Sequence, residues 1–323
     1  MMRSKKRNKR KSRIFKIAVA LLAMIVVAVG YFVYQYNEGV SMADPMEVQK
    51  QDYEFNGQKN LDKVNVLLLG VDARPDEGKS RTDSIMVAQY DPKEGTAKLI
   101  SIMRDIYSEI PGYKNYKINT AFYLGGPELL RETLKNNFDL DVEYYAIIDF
   151  TGFEKMVDVL APDGIEIDVE KNMSANIGVS LDSGLQKLNG KELLGYARFR
   201  KDAEADFGRV RRQQQIIKTM SNELLSTNGA LKLPKLIGTV QPYVQTNFQS
   251  ADLFNLVKDI ALEPPQTVET LTIPVENSYT NVRYEGVGMA LDIDFEENKE
   301  VIKSFLEGDS TGLVSGEDAV SEG

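Results

Sequence analysis

The apolar positions fall into a few strongly patterned runs. Ile17–Tyr34 is an unbroken stretch of eighteen uncharged, mostly apolar residues, enough for about 27 Å of helix at ~1.5 Å per residue and therefore for one membrane crossing. Residues 35–60 are polar with little periodicity and read as a stalk, so structure is expected to begin near Leu61. Val64–Val71 (VNVLLLGV) is short and almost wholly apolar, the pattern of a strand covered on both faces. It runs into a loop carrying Gly70, Pro75 and Gly78. Ser84–Tyr90 and Thr96–Met103, joined by Asp91-Pro92-Lys93-Glu94-Gly95, predict two strands and a turn.

Helices are expected over Pro127–Phe138 and Gly152–Leu160, with strands at Tyr144–Asp149 and Ile165–Val169. In Asp206–Leu225, Ile216, Met220 and Leu224 recur at a spacing of four along one apolar face, and Asp206 favours a helix start. Asn228-Gly229 reads as its stop signal, with Pro234 in the first turn of a separate short helix to about Val240. Ala251–Leu262 and Thr267–Pro274 add a helix and a strand. The alternation predicts a layered α/β domain over 61–306. Residues 307–323, rich in Gly, Ser and acids, are expected to be disordered.

Charge sharpens this outline. The first sixteen residues hold nine Lys or Arg and no acid; removing those nine from the total of 39 leaves 30 bases against 48 acids, a net −18 for the rest of the chain. A basic segment 1–16 ahead of an apolar run 17–34 predicts a signal-anchor with the N-terminus inside and the remainder outside the cell, Tyr31, Phe32, Tyr34 and Tyr36 forming the outer aromatic belt. The run is longer than the core of a cleaved signal peptide. So acidic a body is a poor partner for nucleic acid.

The chain has no Cys, no His and no Trp. Thiol nucleophiles, Ser-His pairs, structural zinc and disulfides are therefore excluded, and a bound metal would be a hard cation on oxygen ligands, Mg²⁺ or Mn²⁺. Against that background the arginines and aspartates cluster. Asp72 and Arg74 follow the strand Val64–Val71, Arg81-Thr82-Asp83-Ser84 opens the next, and Arg104-Asp105 follows Met103. Carboxyl ends of buried strands are where ligand crevices form in α/β sheets, so these residues suit a metal and anion site; as solvated loops they would serve equally as surface salt bridges. Arg198-Phe199-Arg200 in an extended segment would turn both arginines to one face. In a helix, Arg209, Arg212 and Gln213 share a face near an N-terminus whose free amides favour anions, while Arg211 points elsewhere. Arginine suits bidentate phosphate recognition, and a polyanionic phosphate bridged by Mg²⁺ is the ligand these residues suggest.

Six ordered motifs carry a resemblance. Gly70-Val71-Asp72; Arg81-Thr82-Asp83-Ser84; Ser101-Ile102-Met103-Arg104-Asp105; Lys117-Ile118-Asn119-Thr120-Ala121; Leu188-Asn189-Gly190 with Tyr196-Ala197-Arg198-Phe199-Arg200; and Asp206-Phe207-Gly208-Arg209 with Arg212-Gln213 together resemble the LytR-CpsA-Psr family. Ile110-Pro111-Gly112-Tyr113 and the run Leu193–Gln215 resemble its MsrR branch. The resemblance implies an α/β/α layered sandwich with a central mixed β-sheet, preceded by one transmembrane helix. It implies a membrane-anchored extracellular phosphotransferase of the Gram-positive envelope that moves a glycopolymer, wall teichoic acid or capsule, from a polyprenyl-pyrophosphate carrier to peptidoglycan. The lipid tail would lie in an apolar tunnel between sheet and helices.

By motif position, the resemblance makes Asp72 and Asp83 the Mg²⁺ ligands, either of them able to take the acceptor proton. It makes Arg81, Arg104, Arg198, Arg200 and Arg209 pyrophosphate ligands with Gln213 beside them, Arg104 also standing with Asp72 and Asp83 among the catalytic residues. Lys117 and Arg212 could support the fold. Met103 stands where the family usually has Pro, and Ala161-Pro162-Asp163-Gly164 replaces a Gly-Gly turn. The competing functions are a non-enzymatic polyprenyl-phosphate-binding regulator and a pyrophosphatase that delivers the phosphoryl group to water.

Overall fold

The computed structural model describes residues 27, 30–43, 53–60, 62–72, 82–266 and 268–308. The basic segment 1–16, Arg74, Arg81 and all of the tail but 307–308 lie outside them, as does the expected span 17–34 apart from residues 27 and 30–34. Among the described residues no helix is long and apolar enough to cross a membrane.

A mixed six-stranded sheet with the order β10-β3-β2-β1-β6-β9 organises the domain. Its strands are β1 (Val64–Val71), β2 (Thr82–Asp91), β3 (Thr96–Ile102), β6 (Tyr144–Asp149), β9 (Val244–Thr246) and β10 (Val268–Ile273). β1 is parallel to β6, and β3 to β10, while β2 runs antiparallel to both β1 and β3. The carboxyl ends of β1, β3, β6 and β10 therefore share one edge of the sheet with the start of β2. Short hairpins β4 (Tyr107–Ser108)/β5 (Tyr116–Lys117), β7 (Ile165–Val169)/β8 (Gly184–Leu188) and β11 (Tyr279–Tyr284)/β12 (Gly288–Ile293) surround it.

Along β1, Leu67, Leu69 and Val71 are buried, whereas Val66, Leu68 and Gly70 are only half-buried. The expectation of a strand covered on both faces thus holds for one face alone. The covered face packs on α2 (Asn119–Phe138) and α8 (Phe295–Glu307), whose Ala121, Leu130, Leu134, Ile302 and Phe305 join the main core. Toward the other face lies α5 (Ala205–Leu225), whose Gln214 amide donates to Ser101 Oγ, Leu271 O and Thr272 Oγ1 at 3.0, 3.1 and 3.0 Å. A second core joins α3 (Phe150–Leu160), α4 (Gly190–Arg198), α6 (Thr227–Val240) and the β7/β8 hairpin. α7 (Ser250–Leu262) connects β9 to β10 at the opposite sheet edge.

Three expectations are corrected. Residues 30–42 form a helix, α1, that packs on α6, and Phe55 meets Tyr145 at a 5.0 Å centroid distance, so much of 35–60 is part of the folded body rather than a stalk. α5 stops at Ser226, which is both its C-cap and the N-cap of α6, its hydroxyl accepting from Gly229 N at 3.1 Å. Because that serine starts α6 early, Asn228-Gly229 lies inside the helix and Pro234 in its interior. α2 begins at Asn119 and breaks at Gly125-Gly126, after which Pro127 opens a new helical segment, where its missing N–H costs little.

Gly126 is held at φ 66°, ψ −158°, a region open essentially to glycine, and an added Cβ would lie 2.6 Å from Tyr53 Cε1. Gly126→Ala is expected to lower stability by about 1–3 kcal/mol. A urea midpoint unchanged from that of the parent would contradict this reading of the break.

Candidate anion-binding active site

A β-bulge sets the position of the first functional carboxylate. Gly70 pairs with Ser84 and Val71 with Thr82, so Asp83 is the extra residue between two registers. The buried Thr82 hydroxyl pins the bulge, donating to Gly70 O at 3.1 Å or to Ser84 O at 2.6 Å. Bulges re-aim a side chain, and here Asp83 meets Arg104, which follows β3 on the neighbouring strand; the two form an ion pair. Asp72, half-buried, follows Val71 at the same sheet edge.

Arg104 and Arg209 are the unusual pair. Arg209, in the second turn of α5, is only 5% exposed, yet its closest carboxylate is Asp206 Oδ1 at 3.5 Å and its Nε has no hydrogen-bond partner. Arg104 Nε is likewise buried without a hydrogen bond, with Asp206 Oδ2 at 3.6 Å and Asp105 Oδ2 at 3.8 Å. Burial, reinforced by the Arg104 charge, pulls the Arg209 pKa below its ordinary value. Burial also raises Asp206 above the usual carboxylate range against the pull of Arg209. Burial opposes the ionisation of Asp105 too, but Lys117, 2.9 Å away, with Asp206 and Arg104, holds it below that range.

A buried polar group without a partner costs about 1–3 kcal/mol, and the Nε atoms of Arg104 and Arg209 are in that condition, although Arg104 Nη1 is hydrogen-bonded to Asp83. A phosphate-type anion satisfies both, since each guanidinium presents a fork of donors matched to its oxygens. A cavity of about 240 Å³ opens beside Arg104, lined by Asp83, Arg104, Asp105, Tyr116, Lys117 and Asn119 among others; Arg209 is not among its lining residues.

The remaining arginines divide by role. Arg212 is fully buried and its Nε too lacks a hydrogen bond, but its two Nη groups are paired, with Asp202 Oδ2 at 3.0 Å, Glu170 Oε2 at 3.3 Å and Phe199 O at 2.6 Å, so it braces the fold. The shared face expected for Arg209, Arg212 and Gln213 therefore splits between the anion site and an internal salt-bridge cluster. Arg211 is exposed and paired with Glu170 and Glu204. Gln213 accepts from Ser84 Oγ at 3.3 Å and donates to Ala197 O at 3.4 Å, tying the start of β2 to the end of α4. Phe199 is buried between exposed Arg198 and Arg200. Arg198 lies over the Phe150 ring at 4.4 Å, and the Arg200 charge is felt by Arg209. The free amides expected at the start of α5 are already used: Ala205 N donates to Asp202, and Phe207 N and Gly208 N to Glu204 O, because the helix opens with a tight turn. Lys117, Asn119 and the bulge are what the linear pattern left out; Lys-x-Asn beside a glycine-broken helix was the available signal.

A mixed α/β sheet thus gathers Asp83, Arg104 and Arg209 where β2 begins, β3 ends and α5 starts. The chain belongs to the LytR_cpsA_psr family, whose profile matches residues 29–300. It is 50% identical over 280 residues to "Regulatory protein MsrR" of Staphylococcus aureus, covering 86% of this chain and 85% of that protein. It is 33% identical over 263 residues to the polyisoprenyl-teichoic acid–peptidoglycan teichoic acid transferase TagU of Bacillus licheniformis, covering 79% and 84%. Among solved structures, TagT bound to LI-WTA superposes with a TM-score of 0.62 at 28% identity, covering 80% of this chain and 94% of that one.

The two buried arginines on α5 should respond oppositely to removal. Arg212→Met leaves Asp202 and Glu170 with an uncompensated charge and is expected to cost about 3–5 kcal/mol. Arg209→Met relieves a buried charge that the fold does not satisfy, and should leave the melting temperature unchanged or raised. Equal destabilisation of both in thermal melts would contradict the division of roles.

Proposed function

We propose that this protein is a membrane-anchored extracellular phosphotransferase that moves a glycopolymer of the wall teichoic acid or capsule type from a polyprenyl-pyrophosphate carrier to peptidoglycan. The observation that carries the reading is Arg209, 5% exposed with its ion-pair partner Asp206 no nearer than 3.5 Å, standing beside Arg104 and the Asp83 carboxylate paired with it. The transferase name of the TagU relative and the LI-WTA bound to TagT support the substrate class.

In this reading Arg104 and Arg209 hold the pyrophosphate, with Arg200 and Arg198 at the rim and Gln213 keeping β2, α4 and α5 in register; Arg81, outside the described residues, is proposed as a further ligand by its motif alone. An acceptor hydroxyl of peptidoglycan forms a bond to the glycan-linked phosphorus, and the bond from that phosphorus to the bridging oxygen breaks. The carrier leaves as polyprenyl monophosphate, and the hydroxyl proton passes to Asp83 or Asp72. Charge on the transferred group is met by guanidinium groups already in place, which is where most of the rate enhancement in such a site arises.

Asp72 and Asp83, on adjoining strands at one sheet edge, are the residues proposed to hold Mg²⁺, or Mn²⁺ in its place. Among the described residues no group of three or more potential ligands encloses an ion, and the donor set fits an ion that takes one or two carboxylates and completes its shell with water and substrate phosphate. When bound, the ion would neutralise charge on the phosphate oxygens. The half-buried Val66 and Leu68 of β1, on the sheet face away from α2, offer the lipid tail an apolar path. The apolar run 17–34 with its basic flank is proposed as the anchor.

Incubation of the full chain in detergent with a polyprenyl-pyrophosphate glycan and uncrosslinked peptidoglycan should yield a Mg²⁺-dependent glycan–peptidoglycan adduct and polyprenyl monophosphate, read by mass. Arg209→Ala is expected to lower the transfer rate by about 10²-fold or more without unfolding the domain, and Asp83→Asn to shift the Mg²⁺ titration to higher concentration. Hydrolysis with no adduct, or an unaltered titration in Asp83→Asn, would count against the assignment.

A further inference from the structure

α1 and α6 lie side by side and run in the same direction. Tyr31 Oη donates to Leu231 O at 3.5 Å, Lys235 Nζ meets Glu38 Oε1 at 2.6 Å, and Thr239 Oγ1 donates to Gly39 O at 3.1 Å. Tyr36 Oη reaches Gln241 Oε1 at 2.7 Å, so this tyrosine faces α6 rather than an outer aromatic belt. The two helices touch through glycine. A Cβ on Gly39 would run into the Lys235 carbonyl, and one on Gly238 into the Tyr36 carbonyl, which is the close backbone approach that small residues permit.

The first turns of α1, residues 30–34, are also the last residues of the apolar run 17–34. There Tyr31, Phe32 and Tyr34 are 42%, 51% and 65% exposed, and Leu231, at the same level on α6, is 54% exposed. Large aromatic side chains at the end of an apolar span belong in the headgroup layer. After α1 the chain is held again. Asn56 N donates to Glu128 Oε2 at 2.8 Å, and Lys59 pairs with Asp252 at 3.1 Å.

We propose that α1 and α6 form a fixed clasp between the anchor and the domain, which seats Leu231 in the headgroup layer of the lipid bilayer and holds the domain in one orientation on the membrane. The inference rests on the anchor proposed above and adds to it a partner surface. α6 shares its N-cap, Ser226, with the end of α5, and Arg209 lies near the other end of that helix. The sixteen helical steps from Arg209 to Leu225 span about 24 Å at ~1.5 Å per residue. A clasped domain therefore presents its anion site at a constant distance from the bilayer, where the pyrophosphate of a lipid-linked donor is anchored. A slack tether would let the site wander.

The absence of Cys and Trp from the chain makes the test clean. Full-length protein carrying Glu38→Cys and Lys235→Cys, with a protease site placed in residues 44–52, is reconstituted in phosphatidylglycerol/phosphatidylethanolamine vesicles, oxidised and cleaved. The clasp predicts that the two fragments stay joined until reduced. In a separate protein, Leu231→Trp should give blue-shifted emission that shallow brominated lipids quench, whereas Met289→Trp, replacing a residue that is 48% exposed on β12, should stay unquenched. Fragments that separate, or a Leu231→Trp emission no different from that of Met289→Trp, in protein that still sediments with the vesicles, would overturn the clasp and leave the anchor standing. Protein that fails to sediment would overturn both.

Discussion

An arginine buried beside a second one needs negative partners to offset the repulsion, and here Asp83, Asp105 and Asp206 gather around Arg104 and Arg209. Burial and the Arg104 charge both work against the charged form of Arg209. Asp206 and Asp105 stand 3.5–3.8 Å from them without closing a hydrogen bond to either Nε. Much of the surrounding architecture serves to keep the pair in place. The Thr82-pinned bulge delivers Asp83 to Arg104, and Lys117 holds Asp105 ionised. Gln213 ties β2 and α4 to α5 one turn beyond Arg209. The proposed anion site would thus be in place before its ligand arrives.

α5 is the element through which these parts communicate. Nearby residues address different neighbours: Arg209 Asp206 and the proposed anion site, Arg212 the Glu170–Asp202 cluster, Gln213 the start of β2 and Gln214 β3 and β10. Its far end runs through the shared Ser226 cap into α6, and thence to α1. A single helix thus joins the chemistry to the end of the molecule that continues into the apolar N-terminal run.

Legibility in the sequence tracked how much each feature depended on distant residues. β1, β6 and β7 were bounded to the residue, because continuous or alternating apolar runs between breakers need no tertiary information. α5 was placed within one residue for the same reason. α4 carried a readable signature that went unused, the capping box of Asn189 and Glu192. The β11/β12 hairpin and α8 were also left unplaced, although Asp294 caps α8 in the ordinary way. The bulge could not have been read, since a one-residue slip against Val71 leaves no local mark. Nor could the split between Arg209 and Arg212, which is decided by Asp202 and Glu170 arriving from other segments. The family motifs placed the charged residues in one neighbourhood; which of them is satisfied by protein and which is left open is a property of the packing.

The most direct measurement is a calorimetric titration of inorganic pyrophosphate with Mg²⁺ into the full chain and into Arg209→Met, at low and at moderate salt. An anion site built on Arg104 and Arg209 predicts one saturable site in the parent, weakened by salt, raising the melting temperature, and lost in the variant. Binding of equal affinity in both proteins, or none in the parent, would contradict it.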